Sequence, residues 1–179
     1  MPVFQGVGDY DREPDLLPGY HRVIVDGYRE TKSNTGIMAV LKAKAGTIAD
    51  YIPINVDPSV NQGKNASFKF WRMVSRFGYP SLEYWDMPKS ERPACSWDPK
   101  ECITGLASAG AEAIVQVALE WNSTRNEMSP TVTEVFRVDR SPVHLEPGES
   151  QLAEPEPVGE EHSTTTNYEH TEKDEPLPF

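Results

Sequence analysis

The sequence lacks the residues and motifs on which most enzyme chemistry depends. Its 179 residues include two cysteines, Cys95 and Cys102, with no second Cys or His pair at the spacing of a zinc site. A phosphate-binding glycine loop, an HExxH helix and a nucleophile elbow are also missing. His21 is the only histidine before residue 141, and we interpret it as structural. We therefore expect a protein that is not an enzyme and that uses no metal or other cofactor.

Long hydrophobic runs are missing as well. No apolar stretch approaches the ~20 residues that a membrane-spanning helix needs. The N-terminus has no charged segment followed by an apolar one, as a secretory signal would have. We therefore expect a cytoplasmic protein with reduced cysteines and no membrane partner.

Negative charge is abundant but confined to one end of the chain. Residues 141–179 hold ten acidic residues and one lysine, a net charge of −9 out of a total of −11. The same segment holds six prolines and few large apolar residues, so burial cannot offset the entropy lost on ordering it. We predict a folded domain over residues 1–140 and a disordered acidic tail over 141–179. Inside the domain, residues 20–76 carry a local charge of +5.

Alternation of apolar and polar residues predicts five strands. They cover residues 21–29, 37–45, 47–56, 112–121 and 131–138. On the first strand, Val23 and Val25 share one face, whereas Arg22 and Tyr28 share the other. Pro53 indicates that the third strand lies at least partly at an edge of its sheet.

One helix is predicted over residues 64–77, ending at Gly78. Its apolar stripe consists of Phe70, Met73, Val74 and Phe77. Its basic residues, at helical spacing on another face, are Lys69, Arg72 and Arg76; we favour a solvated face over a phosphate-binding one. Residues 79–111 are predicted to be irregular, with Trp85 and Trp97 packing locally.

Five short antiparallel strands with a helix between the third and the fourth are the element order of an OB-fold. The OB-fold is a partly open five-stranded barrel that often binds single-stranded nucleic acid. We therefore predict a mainly β, OB-fold-like domain. A β-sandwich or a β-roll fits the same strand count and stays an alternative.

A site for single strands of any sequence needs cations for the phosphates and aromatic faces for the bases. The polar faces of the first three strands supply both. The candidate residues for binding single-stranded DNA are Arg22, Tyr28, Arg29, Lys32, Lys42, Lys44 and Tyr51, with Trp121 and Arg125 as a second platform. The alternative is an ordinary solvated sheet face on which Tyr28 and Tyr51 cap the core and Trp121 shields an edge.

The last residues of the chain have the composition of a peptide hook. Leu177 and Phe179 suit an apolar pocket on a partner, Pro178 limits the entropy lost on binding, and the acidic groups suit Lys or Arg. This partner-binding tip comprises Asp174, Glu175, Leu177, Pro178 and Phe179. It resembles the acidic tip of single-stranded-DNA-binding proteins. A solubilising polyanion that happens to end in Phe is the alternative.

Body and tail together resemble a phage-type single-stranded-DNA-binding protein. The resemblance implies a protein in the host cytoplasm that coats single-stranded DNA in replication or recombination. It also implies that the tip recruits partner proteins such as a polymerase, a helicase-primase or a nuclease. Two alternatives remain: a protein-protein adaptor with a β-barrel domain and an acidic interaction tail, and an acidic DNA mimic, which does not fit the basic segment.

Overall fold

A computed structural model describes residues 13–32, 35–54 and 65–154. These parts of the chain form an antiparallel sheet of six strands, with three α-helices between the third and the fourth strand. The strands are β1 (Gly19–Glu30), β2 (Gly36–Ala43), β3 (Gly46–Pro53), β4 (Glu112–Asn122), β5 (Glu127–Phe136) and β6 (Ser150–Leu152). The helices are α1 (Asn65–Phe77), α2 (Leu82–Asp86) and α3 (Pro99–Ser108).

The sheet has the strand order β3-β2-β1-β4-β5. The short β6 pairs with the first three residues of β1, on the same edge that β2 occupies further along. Some Cα atoms of β3 and β5, the two ends of the order, come within 8 Å of each other, but no ladder joins these two strands. The predicted mainly β, antiparallel fold is confirmed, and the sheet is curled without being closed.

The hydrophobic core lies between the inner face of the sheet and two of the helices. From the sheet it receives alternate residues such as Val23, Val25, Leu41 and Val115, all at most 2% exposed. The predicted stripe of α1 is buried as expected, comprising Phe70, Met73, Val74 and Phe77. Burying one such side chain contributes about 1.5–3 kcal/mol, so the inner sheet face and α1 stabilise each other.

The sequence predicted one helix, whereas the described residues form three α-helices. Residues 79–111 were predicted to be irregular, yet they contain α2 and α3. The Asp98 carboxylate accepts hydrogen bonds from the backbone N–H groups of Lys100 and Glu101, and Pro99 occupies the first turn of α3. An Asp cap followed by Pro is a known helix start, so this signal was present in the sequence.

The predicted local packing of Trp85 and Trp97 is confirmed and is part of a larger group. Rings from α1, α2 and the segments beside them meet edge to face at centroid distances of 5.1–6.5 Å. This aromatic cluster consists of Trp71, Tyr79, Tyr84, Trp85 and Trp97. It joins the three helices into one layer on the inner side of the sheet.

The fold continues past the predicted domain boundary at residue 140. Leu145 is buried, and the backbone N–H of Arg22 donates to the carbonyl of Glu149 at 2.9 Å. At β6 the chain lies so close to Gly19 that a Cβ there would be 2.7 Å from the Cα of Leu152. Residues 141–154 therefore belong to the domain. The tip, residues 174–179, lies outside the described residues.

Candidate nucleic-acid interface

Three strands present a common surface on the side of the sheet opposite the helices. We call this surface the outer face of β1–β3. In its first row, Arg29, Met38 and Tyr51 lie directly opposite one another on adjacent strands. Further rows are formed by Gly27, Val40 and Ala49, and then by Ile24, Lys42 and Thr47. Because directly paired residues point to the same side, the register places Arg29, Lys42 and Tyr51 on one face.

Tyr51 is the aromatic residue of this face. Its hydroxyl donates to Oγ1 of Thr35 at 3.1 Å, which orients the ring toward the β1–β2 turn. The ring lies against Gly36, where any Cβ would clash with it. Tyr51 is partly exposed, so one side of a fixed ring is accessible to a planar ligand.

Tyr28 lies on the opposite side of the sheet from Arg22, and the prediction that they share a face was wrong. The register of β1 against β2 shifts between Val25 and Gly27, so that an extra residue bulges out. A bulge of one residue reverses the alternation of every side chain after it. Tyr28 therefore pairs with the buried Ala39 and packs against the core. This geometry fits the alternative in which Tyr28 caps the core.

Two of the predicted cations on β1 and β2 already have carboxylate partners. The guanidinium of Arg22 donates to Oε2 of Glu112 from Nε at 3.1 Å and to the carbonyl of Leu145 at 2.9 Å. Lys42 Nζ lies 2.7 Å from Oε1 of Glu13, and this hydrogen bond raises the pKa of Lys42. Arg22 thus holds residues 141–149 against β1 and β4, whereas the Lys42–Glu13 pair is exposed and exchangeable.

Three other predicted cations are free of such partners. Arg29, Lys32 and Lys44 are exposed and form no ion pair with another described residue. Arg29 lies in the Tyr51 row, Lys32 in the turn after β1, and Lys44 in the turn after β2. Arg29 and Lys32 therefore lie near the start of β2, and Lys44 lies at its end.

The second predicted platform lies elsewhere. Trp121 and Arg125 belong to the β4–β5 hairpin, which extends beyond the start of β1, whereas Lys32 and Tyr51 lie toward its end. Trp121 is 60% exposed. Arg125 lies 4.0 Å from the Glu127 carboxylate. The structure does not bring this pair together with Tyr51.

Below α1 lies a buried charge cluster that the sequence analysis missed. Asp50, on the inner face of β3, is 4% exposed and lies 3.5 Å from Nη2 of Arg72 and 3.9 Å from Nζ of Lys69. Arg72 also donates from Nη1 to the carbonyl of Thr133 on β5 at 3.0 Å. Burial raises the pKa of Asp50, while the two cations oppose this shift. Contrary to the predicted solvated face, the Arg72 side chain is only 8% exposed, and it connects β3 to β5 through α1.

A signal for this cluster exists in the sequence. Asp50 alternates with Ile48 and Ile52, which are both buried. An acidic residue at a core position requires a cationic or hydrogen-bonding partner, because an isolated buried charge is very costly. The helix that follows β3 among the described elements, α1, carries basic residues that could supply this partner.

His21 and Cys102 are buried in this fold. Nε2 of His21 donates to the carbonyl of Leu17 at 2.6 Å, and Nδ1 lies 2.7 Å from the hydroxyl of Ser150. Burial lowers the pKa of His21, which keeps the ring neutral. Cys95 and Cys102 are free, and burial raises the pKa of the Cys102 thiol to about 12. Such a thiol carries almost no thiolate at neutral pH.

Comparison with known proteins adds no family assignment. Neither the protein-family models nor the curated proteins give a match to this chain. Across the described ranges, no three His, Cys, Asp or Glu side chains are grouped as metal ligands. In the same part of the chain, no helix has the length and apolarity required to cross a membrane. The candidate function therefore rests on residues and geometry alone.

Proposed function

We propose that the protein binds single-stranded DNA on the outer face of β1–β3 and coats it without strong sequence preference. The observation that carries the proposal is the row formed by Arg29, Met38 and Tyr51. It combines an oriented aromatic ring, an apolar neighbour and a free cation on three adjacent strands. Stacking of one base on such a ring contributes about 1–3 kcal/mol, and each cation releases counterions from the strand.

The spacing of the free cations supports this proposal. Lys32 and Lys44 flank β2, whose eight residues span roughly 26 Å at ~3.3 Å per residue. A strand running along β2 would meet a cation at each end and Tyr51 between them. Lys42 joins the site when phosphate replaces Glu13, an exchange with little cost because an exposed ion pair contributes only ~0–1 kcal/mol.

The strand order supports the finer description of the fold as OB-like. A five-stranded sheet in the order β3-β2-β1-β4-β5, with its two ends drawn together, corresponds to a five-stranded barrel opened between β3 and β5. In this description α1 covers the opening, and Arg72 connects its two sides. The outer face of β1–β3 is then the exterior surface on which a strand would lie.

The acidic tail completes the proposed function. Residues 174–179 recruit proteins of DNA replication or recombination by inserting Leu177 and Phe179 into an apolar pocket. The acidic residues before them compete with DNA for the cations of the outer face when no strand is bound. This role is supported by the sequence and by the resemblance to phage-type single-stranded-DNA-binding proteins.

Fluorescence anisotropy with a labelled oligo-dT, at low and at physiological salt, tests the proposal. We expect saturable binding that weakens as salt rises, with a slope that falls by about 0.7 for each cation replaced. Arg29→Gln and Lys44→Gln should each lower the slope, and Lys89→Gln, outside the proposed face, should not. Absence of binding at low salt, with and without residues 155–179, would contradict the proposal.

A second candidate, a protein-protein adaptor, is favoured by one observation. A groove of about 960 Å³ beside the β4–β5 hairpin is bordered by exposed apolar side chains. These are Leu17, Leu119, Met128 and Leu152, each between 49% and 58% exposed. Clusters of this kind mark protein interfaces. The adaptor becomes the better description if the oligonucleotide experiment fails.

A further inference from the structure

A second surface combines aromatic rings with cations, and it lies on the β5 side of α1. A pocket of about 270 Å³ opens there between α1, α2 and β5. Its principal residues are Phe68, Trp71, Arg72, Arg76, Trp85 and Glu134. Tyr51, by contrast, belongs to β3, on the other side of α1. The pocket is therefore separate from the proposed surface on β1–β3 and its function does not depend on that proposal.

The apolar wall of the pocket is rigid. Nε1 of Trp85 donates to the carbonyl of Tyr79 at 2.7 Å, which fixes the indole. Trp71 contacts Trp85 and Trp97 edge to face at 6.5 and 5.1 Å between centroids. Rings held by such a cluster lose little entropy when a planar ligand binds against them. The aromatic cluster thus presents a preformed surface for a flat apolar group.

Phe68 forms the exposed edge of this wall. The Phe68 side chain is 62% exposed, whereas Phe70, two residues further along α1, is fully buried. The guanidinium carbon of Arg72 lies 5.8 Å from the centre of its ring. The core does not require an exposed Phe at this position. A ligand that stacks on it would remove its apolar surface from water.

The electrostatic environment of the pocket favours an anion on the α1 side. Lys69 and Arg72 share one carboxylate, Asp50, and Nε and Nη2 of Arg72 donate no hydrogen bond to any described residue. Arg76, one turn further along α1, is exposed and has no ion-pair partner in the described ranges. Glu134 faces them from β5 and is exposed. Positive charge therefore exceeds negative charge along α1, and the Glu134 carboxylate, a hydrogen-bond acceptor, lies on the β5 side of the pocket.

We propose that this pocket binds a single nucleotide. The base packs against Phe68 and the two indoles, the phosphate pairs with Arg76, and Glu134 accepts a hydrogen bond from an exocyclic amino group of the base. A volume of about 270 Å³ is of the size of one nucleotide unit. The unit is either a free mononucleotide or one base of a bound strand.

Calorimetric titration of the full-length protein with dAMP, deoxyadenosine and inorganic phosphate tests the free-nucleotide source. We expect dAMP to bind at least about fivefold more tightly than either part alone, since stacking and charge act together. Arg76→Gln should reduce dAMP binding to the level of deoxyadenosine, and Arg76→Lys should restore most of the difference. Phe68→Ala should weaken dAMP and deoxyadenosine alike.

Anisotropy with a labelled oligo-dA tests the strand source. Here Phe68→Ala and Arg76→Gln should each lower affinity about fivefold or more. The matched controls are Leu152→Ala, a truncation of another exposed apolar side chain, and Lys89→Gln, an equal charge loss outside the pocket. Because Phe68 and Arg76 are exposed, both pocket variants should keep the thermal midpoint of the wild-type protein.

The outcomes separate this proposal from the proposed function. An effect of the two pocket variants, beyond that of their controls, on dAMP or on oligo-dA supports the pocket. If neither ligand responds to either variant, the pocket is not a nucleotide site, even where Tyr51→Ala weakens oligonucleotide binding. If dAMP binds through the pocket and no oligonucleotide binds, the proposed function fails and the pocket stands.

Discussion

The outer face of β1–β3 and the layer of helices on the other side of the sheet use the same residue types in opposite ways. On the outer face, the cations Arg29, Lys32 and Lys44 are exposed, and the partly exposed ring of Tyr51 lies between them. In the helical layer, Arg72 is buried against Asp50 and five rings pack against one another. The role of an Arg or an aromatic residue therefore depends on its solvent exposure and cannot be assigned from its residue type alone.

The largest expected difference between the two regions concerns their ion pairs. Asp50→Ala leaves Arg72 as a buried charge with no carboxylate partner among the described residues, and we expect a loss of about 3–5 kcal/mol in the free energy of unfolding. Glu13→Ala removes the exposed partner of Lys42 and should cost less than about 1 kcal/mol. Urea denaturation of both variants measures the two values. Equal losses would contradict the distinction between a buried and an exposed pair.

Tyr28 and Tyr51 were both predicted to bind single-stranded DNA, but the structure places them on opposite sides of the sheet. Tyr51→Ala should weaken oligo-dT binding by about 1–3 kcal/mol while leaving the salt slope and the thermal midpoint nearly unchanged. Tyr28→Ala should do the opposite, because its ring packs on the core side of the bulge. Anisotropy and thermal unfolding of both variants distinguish the roles. Unfolding caused by Tyr51→Ala would show that Tyr51 also caps the core.

The histidine under β6 should make the stability of the domain pH-dependent. The pKa of His21 is lowered in the folded state, so below about pH 6.5 the unfolded chain takes up a proton that the folded protein does not. Stability should therefore fall as the pH drops from about 6.5 toward the folded pKa, by at most about 1.4 kcal/mol per pH unit.

The same measurement in His21→Gln isolates this contribution. Asp50, whose pKa is raised, stabilises the fold as it becomes protonated, and it therefore acts in the opposite direction at lower pH. Both proteins retain Asp50, so only the His21 contribution differs between them. A pH profile of the thermal midpoint that is identical in both would refute the assignment.

The smallest expected effects on DNA affinity come from changes to the acidic tail. The fold determines where the tail has to be truncated to test them. Because residues 141–154 belong to the domain, the truncation that tests competition removes 155–179 only. It should raise oligo-dT affinity by a few fold at low salt, where screening is weak. Deleting Phe179 alone should leave that affinity unchanged and abolish capture of replication proteins. Retention of every captured partner would leave the tail as a solubilising polyanion.

Much of the sheet and one helix could be predicted from the sequence, because local patterns specify them. The alternation in β1 to β5 and the stripe of α1 each repeat with the period of their element. Gly78, with φ of +80°, ends α1 as predicted. Pro53 was predicted at a sheet edge, and β3 is indeed the last strand of the order.

Three of the differences from the sequence prediction share one physical cause, which is that a segment distant in sequence decides the structure. The three residues of β6 have no pattern of their own and form a strand only because the start of β1 offers an open edge. The bulge after Val25 becomes visible only in the pairing with β2, and it moves Tyr28 to the core. Arg72 was expected to be solvated because the helix alone does not reveal that Asp50 lies beneath it.

The sequence by itself determined five strands and the helix α1, the separation of charge between body and tail, and the residue types that a single-strand site would use. These properties depend on neighbours along the chain, and periodicity and composition record them directly. Only the tertiary structure decided which cations remain free, which tyrosine faces outward, and which rings enclose the pocket beside Arg76. Burial and pairing depend on residues far apart in sequence, so no local pattern can contain them.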